Sequence, residues 1–200
     1  MGRTENEHLI VKKEWDMFQN VKNVGGRADC QDDWETFVIM RLSQLKSWED
    51  NVVESYLNDL VEAEKAERNL VMEKYAYMME ETDPEYYQQI CGLLPQIAER
   101  TLKMIDKIVD QFMKWEEEVE LEYPKVREHG RPAEGIGDSG MVSVRNYLRS
   151  ELKTYSEHTI IVYLAQIIMY PQKNRYKISL EKMVKAYGYE SLEDAEQALK

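Results

Sequence analysis

Cysteine is nearly missing from this chain. There are two in 200 residues, Cys30 and Cys91, too few for the multi-bridge framework that holds small secreted folds together. One bridge between them is an option. A reduced pair in the cytoplasm is the expected state. Proline (5) and glycine (9) are scarce and clustered, which leaves long stretches free to form helices. No apolar run is long: the greasiest segment, Thr159 to Pro171, stops well short of the ~20 residues that cross a bilayer. The polar start, Met1 to Glu7, lacks the pattern of a secretion signal. Basic charge is in deficit, with 26 Lys+Arg against 38 Asp+Glu and a net charge of −12. The deficit lies in residues 1–140, at −14, while residues 141–200 balance at +2. Such a field repels phosphate backbones. The one basic cluster, Lys173, Arg175, Lys177, Lys182 and Lys185, reads as solvated helix ends. Neither nucleic acid nor membrane is an expected partner.

What is present points to a folded globule, with 43% apolar and 32% charged residues. A chain of this length buries about 70% of its unfolded surface. We read residues 1–200 as one domain with loose ends at 1–6 and 189–200. Apolar spacing predicts a first helix from Glu7 to Lys22 on Val11, Trp15, Met17 and Phe18. A second opens at Asp32, with Glu35 at capping-box spacing. A long third runs from Trp48 to Glu81, its polar middle (Glu62 to Arg68) either exposed or bent. Thr82-Asp83-Pro84-Glu85 starts another. The strongest amphipathic pattern follows, from Leu94, Ile97 and Ala98 through Leu102, Ile105 and Ile108 to Trp115, and stops at Pro124. After a long loop at 124–141, a helix from Val142 to Met169 becomes apolar on all sides, the mark of an enclosed central helix. Ser179 and Ser191 cap two short C-terminal helices. No period-two run of useful length and no 20–50-residue repeat occurs. The expected fold is all-α, a single irregular bundle of five to six main helices plus short C-terminal helices.

Two loops could carry chemistry. In Asn23–Asp33, two adjacent glycines, Gly25-Gly26, are followed by Arg27 and the helix start. The structural reading is a glycine stop and a capped start, with Arg27 bridging to a nearby acid. The functional one puts an anion on Arg27, with a catalytic Cys30 as its remotest form. In Arg127–Gly140, the residues Arg127, His129 and Arg131 sit close together among glycines, as a mobile connection or as a lid over an anionic ligand. Gly137-Asp138-Ser139-Gly140 is not a serine-protease nucleophile loop, because the β-barrels of that chemistry are absent. No phosphate loop is present. Di-iron bundles need paired Glu-x-x-His motifs, and only Glu5-x-x-His8 has the spacing, so no metal or other cofactor is expected. From Tyr147 to Tyr155, core packing with a polar rim competes with a polar pocket formed by Tyr155, Arg149 and the glycine loop.

The stretches Glu14-Trp15-Asp16-Met17-Phe18, Gly25-Gly26-Arg27, Cys30 to Phe37, Glu73-Lys74-Tyr75-Ala76 and Tyr147 to Ser156 resemble a bacterial family called domain of unknown function 4125. The resemblance covers most of the chain and implies no activity, so no functional residue carries over. Two functions remain: a binding or protein-interaction module without catalysis, partnered by another protein or by itself, and a binder or enzyme for a small anionic ligand. The second would use Arg27, Asp33, His129, Arg131, Arg149 and Tyr155, with Asp33 or His129 moving a proton. Whether the chain is an enzyme is left open by its sequence.

Overall fold

The computed structural model describes residues 2–22, 26–135 and 142–199. Among them are eleven α-helices and no β-strand, as the period-3.6 patterning predicts. They are α1 (Arg3–Gln19), α2 (Trp34–Leu45), α3 (Asp50–Lys65), α4 (Leu70–Thr82), α5 (Pro84–Ile90), α6 (Glu99–Glu122), α7 (Pro124–Glu128), α8 (Val144–Leu152), α9 (Glu157–Met169), α10 (Arg175–Ala186) and α11 (Leu192–Ala198).

The expected elements break where short polar side chains seize backbone amides. The long third helix is two helices. At its break Glu67 takes a left-handed φ of 54°, Arg68 N–H bonds Ala63 C=O and Glu67 N–H bonds Glu64 C=O. That is a Schellman stop with glutamate where glycine is usual. Asn69 then caps α4, accepting from Met72 N–H at 2.9 Å. The expected 142–169 helix also divides, because Ser156 accepts from Thr159 N–H at 3.2 Å and starts α9. Asp33 rather than Asp32 caps α2, and Asn174 rather than Ser179 caps α10. Gly188, at φ 95°, ends α10 with the same two Schellman bonds. Pro124, expected as a stop, opens α7 inside the expected loop.

Described residues near both ends make contacts with the body of the bundle. Arg3 donates to Trp48 C=O at 2.8 Å and to Leu45 C=O at 3.3 Å, and Asn6 and Glu7 are buried. At the other end Leu192 and Ala195 are fully buried with Val119, Tyr123, Val126, Leu180 and Val184. The main core, from α1, α2, α3, α6, α8 and α9, centres on Ile10, Leu45, Trp48, Leu60, Ile105 and Ile160. Tyr176 on α10 packs against both clusters. The enclosure expected for α9 is only half realised. Ile160, Tyr163 and Ile167 face the core, but Ile161, Ile168 and Met169 are 48%, 68% and 66% exposed. Since α3 and α6 both pack against α9, its outer face is left uncovered.

The strongest amphipathic pattern begins later than expected, at Glu99. The proline ring holds Leu94 extended, at φ −85° and ψ 151°. Beyond it, Tyr77 OH donates to Pro95 C=O at 3.0 Å, and Ala98 is also extended, at φ −61° and ψ 141°. Leu94, Ile97 and Ala98 therefore stay outside α6.

Candidate functional site

Four charged side chains meet inside the bundle. Arg41 of α2 forks onto Glu14 of α1, with both N–H···O distances at 2.6 Å. Its other nitrogen reaches Glu151 of α8 at 3.1 Å and bonds Gln44. Tyr56 OH of α3 donates to Glu14 at 2.6 Å, and Tyr155 OH donates to Glu151 at 2.7 Å. Lys74 of α4 lies 3.7 Å from the second Glu151 oxygen and donates to Tyr147 OH at 2.8 Å. All six of these charged and tyrosyl groups other than Tyr147 are buried, and the two acids and two bases sum to zero charge. Neutral pairing is the condition under which charges persist in a low-dielectric interior.

The electrostatics follow. Burial pushes the Glu151 carboxyl up, but Arg41, Lys74 and the Tyr155 hydroxyl outweigh it and hold it down at about 2. Burial lowers Lys74 while Tyr147 and Glu151 raise it, and it ends above its ordinary value. Tyr56 and Tyr155 are pushed well above 10, first by burial and then by the adjacent carboxylates. None of these groups is poised near neutral pH, as a general acid or base would need to be. The network is a rigid clasp joining α1, α2, α3, α4 and α8.

Two further buried arginines tie connections down. Arg175 donates to Ser47 C=O and to Glu49 at 2.9 Å. Arg127 pairs with the buried Glu116 and donates to Arg131 C=O. Of the basic cluster near the C-terminus, Arg175 is thus internal, while Lys173 pairs with Glu49 and Lys177 with Glu122.

Each of the six residues expected to bind an anion has its own partners. Arg27 pairs with Asp32 at 2.8 Å and donates to Gln31 C=O at 2.9 Å; the hydrogen bond from Arg27 lowers the Asp32 pKa. Asp33 accepts Thr36 N–H at 3.0 Å, which lowers the Asp33 pKa. His129 Nδ1 lies 2.8 Å from Lys125 C=O. Arg131 stacks over the Tyr147 ring at 4.4 Å and donates to Val142 C=O. Arg149 donates to Asp106 at 2.9 Å and sits 3.5 Å from Glu80. Tyr155 belongs to the buried network. Among the described residues no hydrogen bond, ion pair or ring contact joins any two of the six. Gly25, Gly137, Asp138, Ser139 and Gly140 lie outside the described residues. Two depressions flank α1, of about 420 Å³ beside the α3–α4 turn and about 360 Å³ over Trp15 and Trp34, and none of the six lines either. No group of three metal-ligating side chains stands together among the described residues.

Sequence reasoning missed the surface that stands out. From Pro84 to Ala98 not one residue is buried, although Tyr86, Tyr87, Ile90, Leu93, Leu94 and Ile97 lie in that segment. Leu93 is 85% exposed. The segment rests against α4, with Tyr87, Ile90, Leu94 and Ile97 half-buried, and is tied there by the Tyr77 bond to Pro95. The outer side of α9 is the second such surface: Ile161, Ile168 and Met169 are exposed, with Ala165 and Leu164 half-buried beside them at helical spacing, Leu164 against the main core.

These observations define an all-α protein clasped by a buried charge network, with apolar residues left outside. No helix among the described residues is long and apolar enough to cross a membrane. The chain belongs to the family described as protein of unknown function (DUF4125), which it matches over residues 7–197. Comparisons with curated proteins and with solved structures find no match.

Proposed function

We propose that this chain is a bacterial, cytoplasmic protein-interaction module without catalysis of its own, docking a protein through the Pro84–Ala98 arm and the outer face of α9. The observation that carries the reading is the arm: fifteen consecutive residues, none fully buried, with Tyr86 and Leu93 exposed and Tyr87, Ile90, Leu94 and Ile97 half-buried. Single exposed apolar residues are ordinary, but a concentration of them marks an interaction surface. Covering one such side chain is worth about 1.5–3 kcal/mol. The free thiols of Cys30 and Cys91 support a reducing compartment. A photo-crosslinking amino acid at position 93 tests the reading in cells. It should give discrete protein adducts that disappear when Ile97 is also changed to Asn, while the helical circular dichroism is unchanged. Absence of any protein adduct at 93 refutes it.

A second reading, a small anionic ligand, is favoured by one observation. Tyr75 lies within electrostatic reach of Cys30 and Arg131 as well as of Lys74 and Tyr147, which relates the two candidate loops to one side chain. Inorganic phosphate or a nucleotide should then raise the melting temperature of the protein but not of Arg131→Ala. An equal shift in both removes this reading.

A further inference from the structure

The arm and the α9 face complement each other in charge as well as in greasiness. α6 lies along α9, as fixed at both ends: Arg100 pairs with Glu157 at the start of α9, and Asn174, just beyond α9, bonds Trp115 C=O and Glu118. Heptad steps from Arg100 place Lys107 and Lys114 on the same flank. Both lysines are exposed, and neither has an acidic partner among the described residues. At the root of the arm stand Glu81 and Glu85, also exposed and without a basic partner among the described residues. One apolar surface is therefore rimmed by unpaired bases and the other by unpaired acids.

Resting on the interaction reading above, we propose that the occupant is a second copy of this chain, each copy laying its Pro84–Ala98 arm across the α9 face of the other. Size favours the reciprocal arrangement. A stable interface takes about 20–30 residues a side. The arm alone supplies fifteen, and the arm, the five α9 residues and the two lysines together supply twenty-two. Reciprocity also closes the assembly under two-fold symmetry, whereas one-way docking of arm onto face would leave both surfaces open and propagate into filaments. With a net charge of −12, two copies repel at long range, so the pairing depends on the local acid–base match at the rim.

Sedimentation equilibrium at micromolar to near-millimolar protein tests the proposal on the full chain. The protein is expected to be dimeric, and Leu93→Glu and Ile168→Glu each monomeric, with helical circular dichroism retained. Mixing the two variants is the decisive arm, because the Ile168→Glu copy keeps an intact arm and the Leu93→Glu copy an intact face. One of the two contacts is then restored, and heterodimer should form although neither variant dimerises alone. Glu85→Lys should weaken the dimer about threefold per contact, and adding Lys107→Glu in the same chain should recover it. A wild type that stays monomeric overturns the second-copy proposal and leaves the crosslinking result at position 93 to decide the broader reading. A dimer that survives Leu93→Glu, or variants that fail to complement on mixing, overturns the arm exchange.

Discussion

Replacing Glu151 by glutamine removes one charge from the buried network with almost no change of shape. Arg41 then keeps Glu14 alone, and Lys74 keeps only the Tyr147 hydroxyl. Glu151 is held at about 2 against an ordinary 4.5. At 1.36 kcal/mol per pKa unit that difference is worth about 3 kcal/mol at neutral pH, in line with the roughly 3–5 kcal/mol lost on breaking a buried pair. For a chain near this size the melting temperature should drop by about 6–12 °C. The pH dependence carries the sign. A depressed carboxyl stabilises above its unfolded pKa and stops doing so as the pH falls through its folded pKa. The Glu151 contribution should therefore shrink between pH 4.5 and pH 2, to about 1 kcal/mol at pH 3. Urea unfolding of both proteins at pH 7 and pH 3, followed by far-ultraviolet circular dichroism, measures this. If the gap between them is below about 1 kcal/mol at pH 7, or is as wide at pH 3 as at pH 7, the network does not clasp the helices electrostatically.

The remaining predictions concern local structure and titration. Glu67→Gly should stabilise the chain by about 0.5–1 kcal/mol, because glycine adopts the left-handed stop of α3 without a Cβ penalty; a higher urea midpoint at unchanged slope is the expected result. Asn69→Ala should cost about 1 kcal/mol or more, losing both the α4 cap and the 2.7 Å bond to Met17 C=O. Arg27→Ala should lower the urea midpoint only slightly, through loss of the bond to Gln31 C=O, since its pair with Asp32 is solvent-exposed; a drop larger than that of Asn69→Ala would contradict this. In an alkaline titration at the phenolate absorbance, Tyr56, Tyr155 and Tyr163 should stay protonated past pH 10 and ionise only as the protein unfolds. Stability held below their unfolded pKa is then lost as the pH rises, and a titration complete near 10 in the native protein would contradict their burial.

Much of the buried network is legible once its register is noticed. Glu14 stands between Ile10 and Phe18 at four-residue steps, Arg41 between Phe37 and Leu45, and Lys74 between Leu70 and Met78. A lone charge on an apolar stripe has to be paired where that stripe is buried. Tyr155, read as either core packing or the lining of a polar pocket, is buried with its hydroxyl on Glu151. In the candidate loops the sequence leaves two readings open, because glycines and arginines look alike whether they await a ligand or fasten a turn; Arg27 bridges to Asp32, as the structural reading expected, and Arg127 ties down Arg131 C=O.

Local chemistry alone determined that the chain is helical, where most helices end and which faces are greasy, because hydrogen bonds within a helix and its caps reach no further than a few residues. Which greasy faces are covered was decided only in three dimensions. Ile161 and Ile160 are equally apolar and adjacent in the chain, yet one meets solvent and the other the core. Burial depends on what the rest of the chain brings to each face, and among the described residues little reaches Leu93 of the arm or Ile168 and Met169 on the outer side of α9.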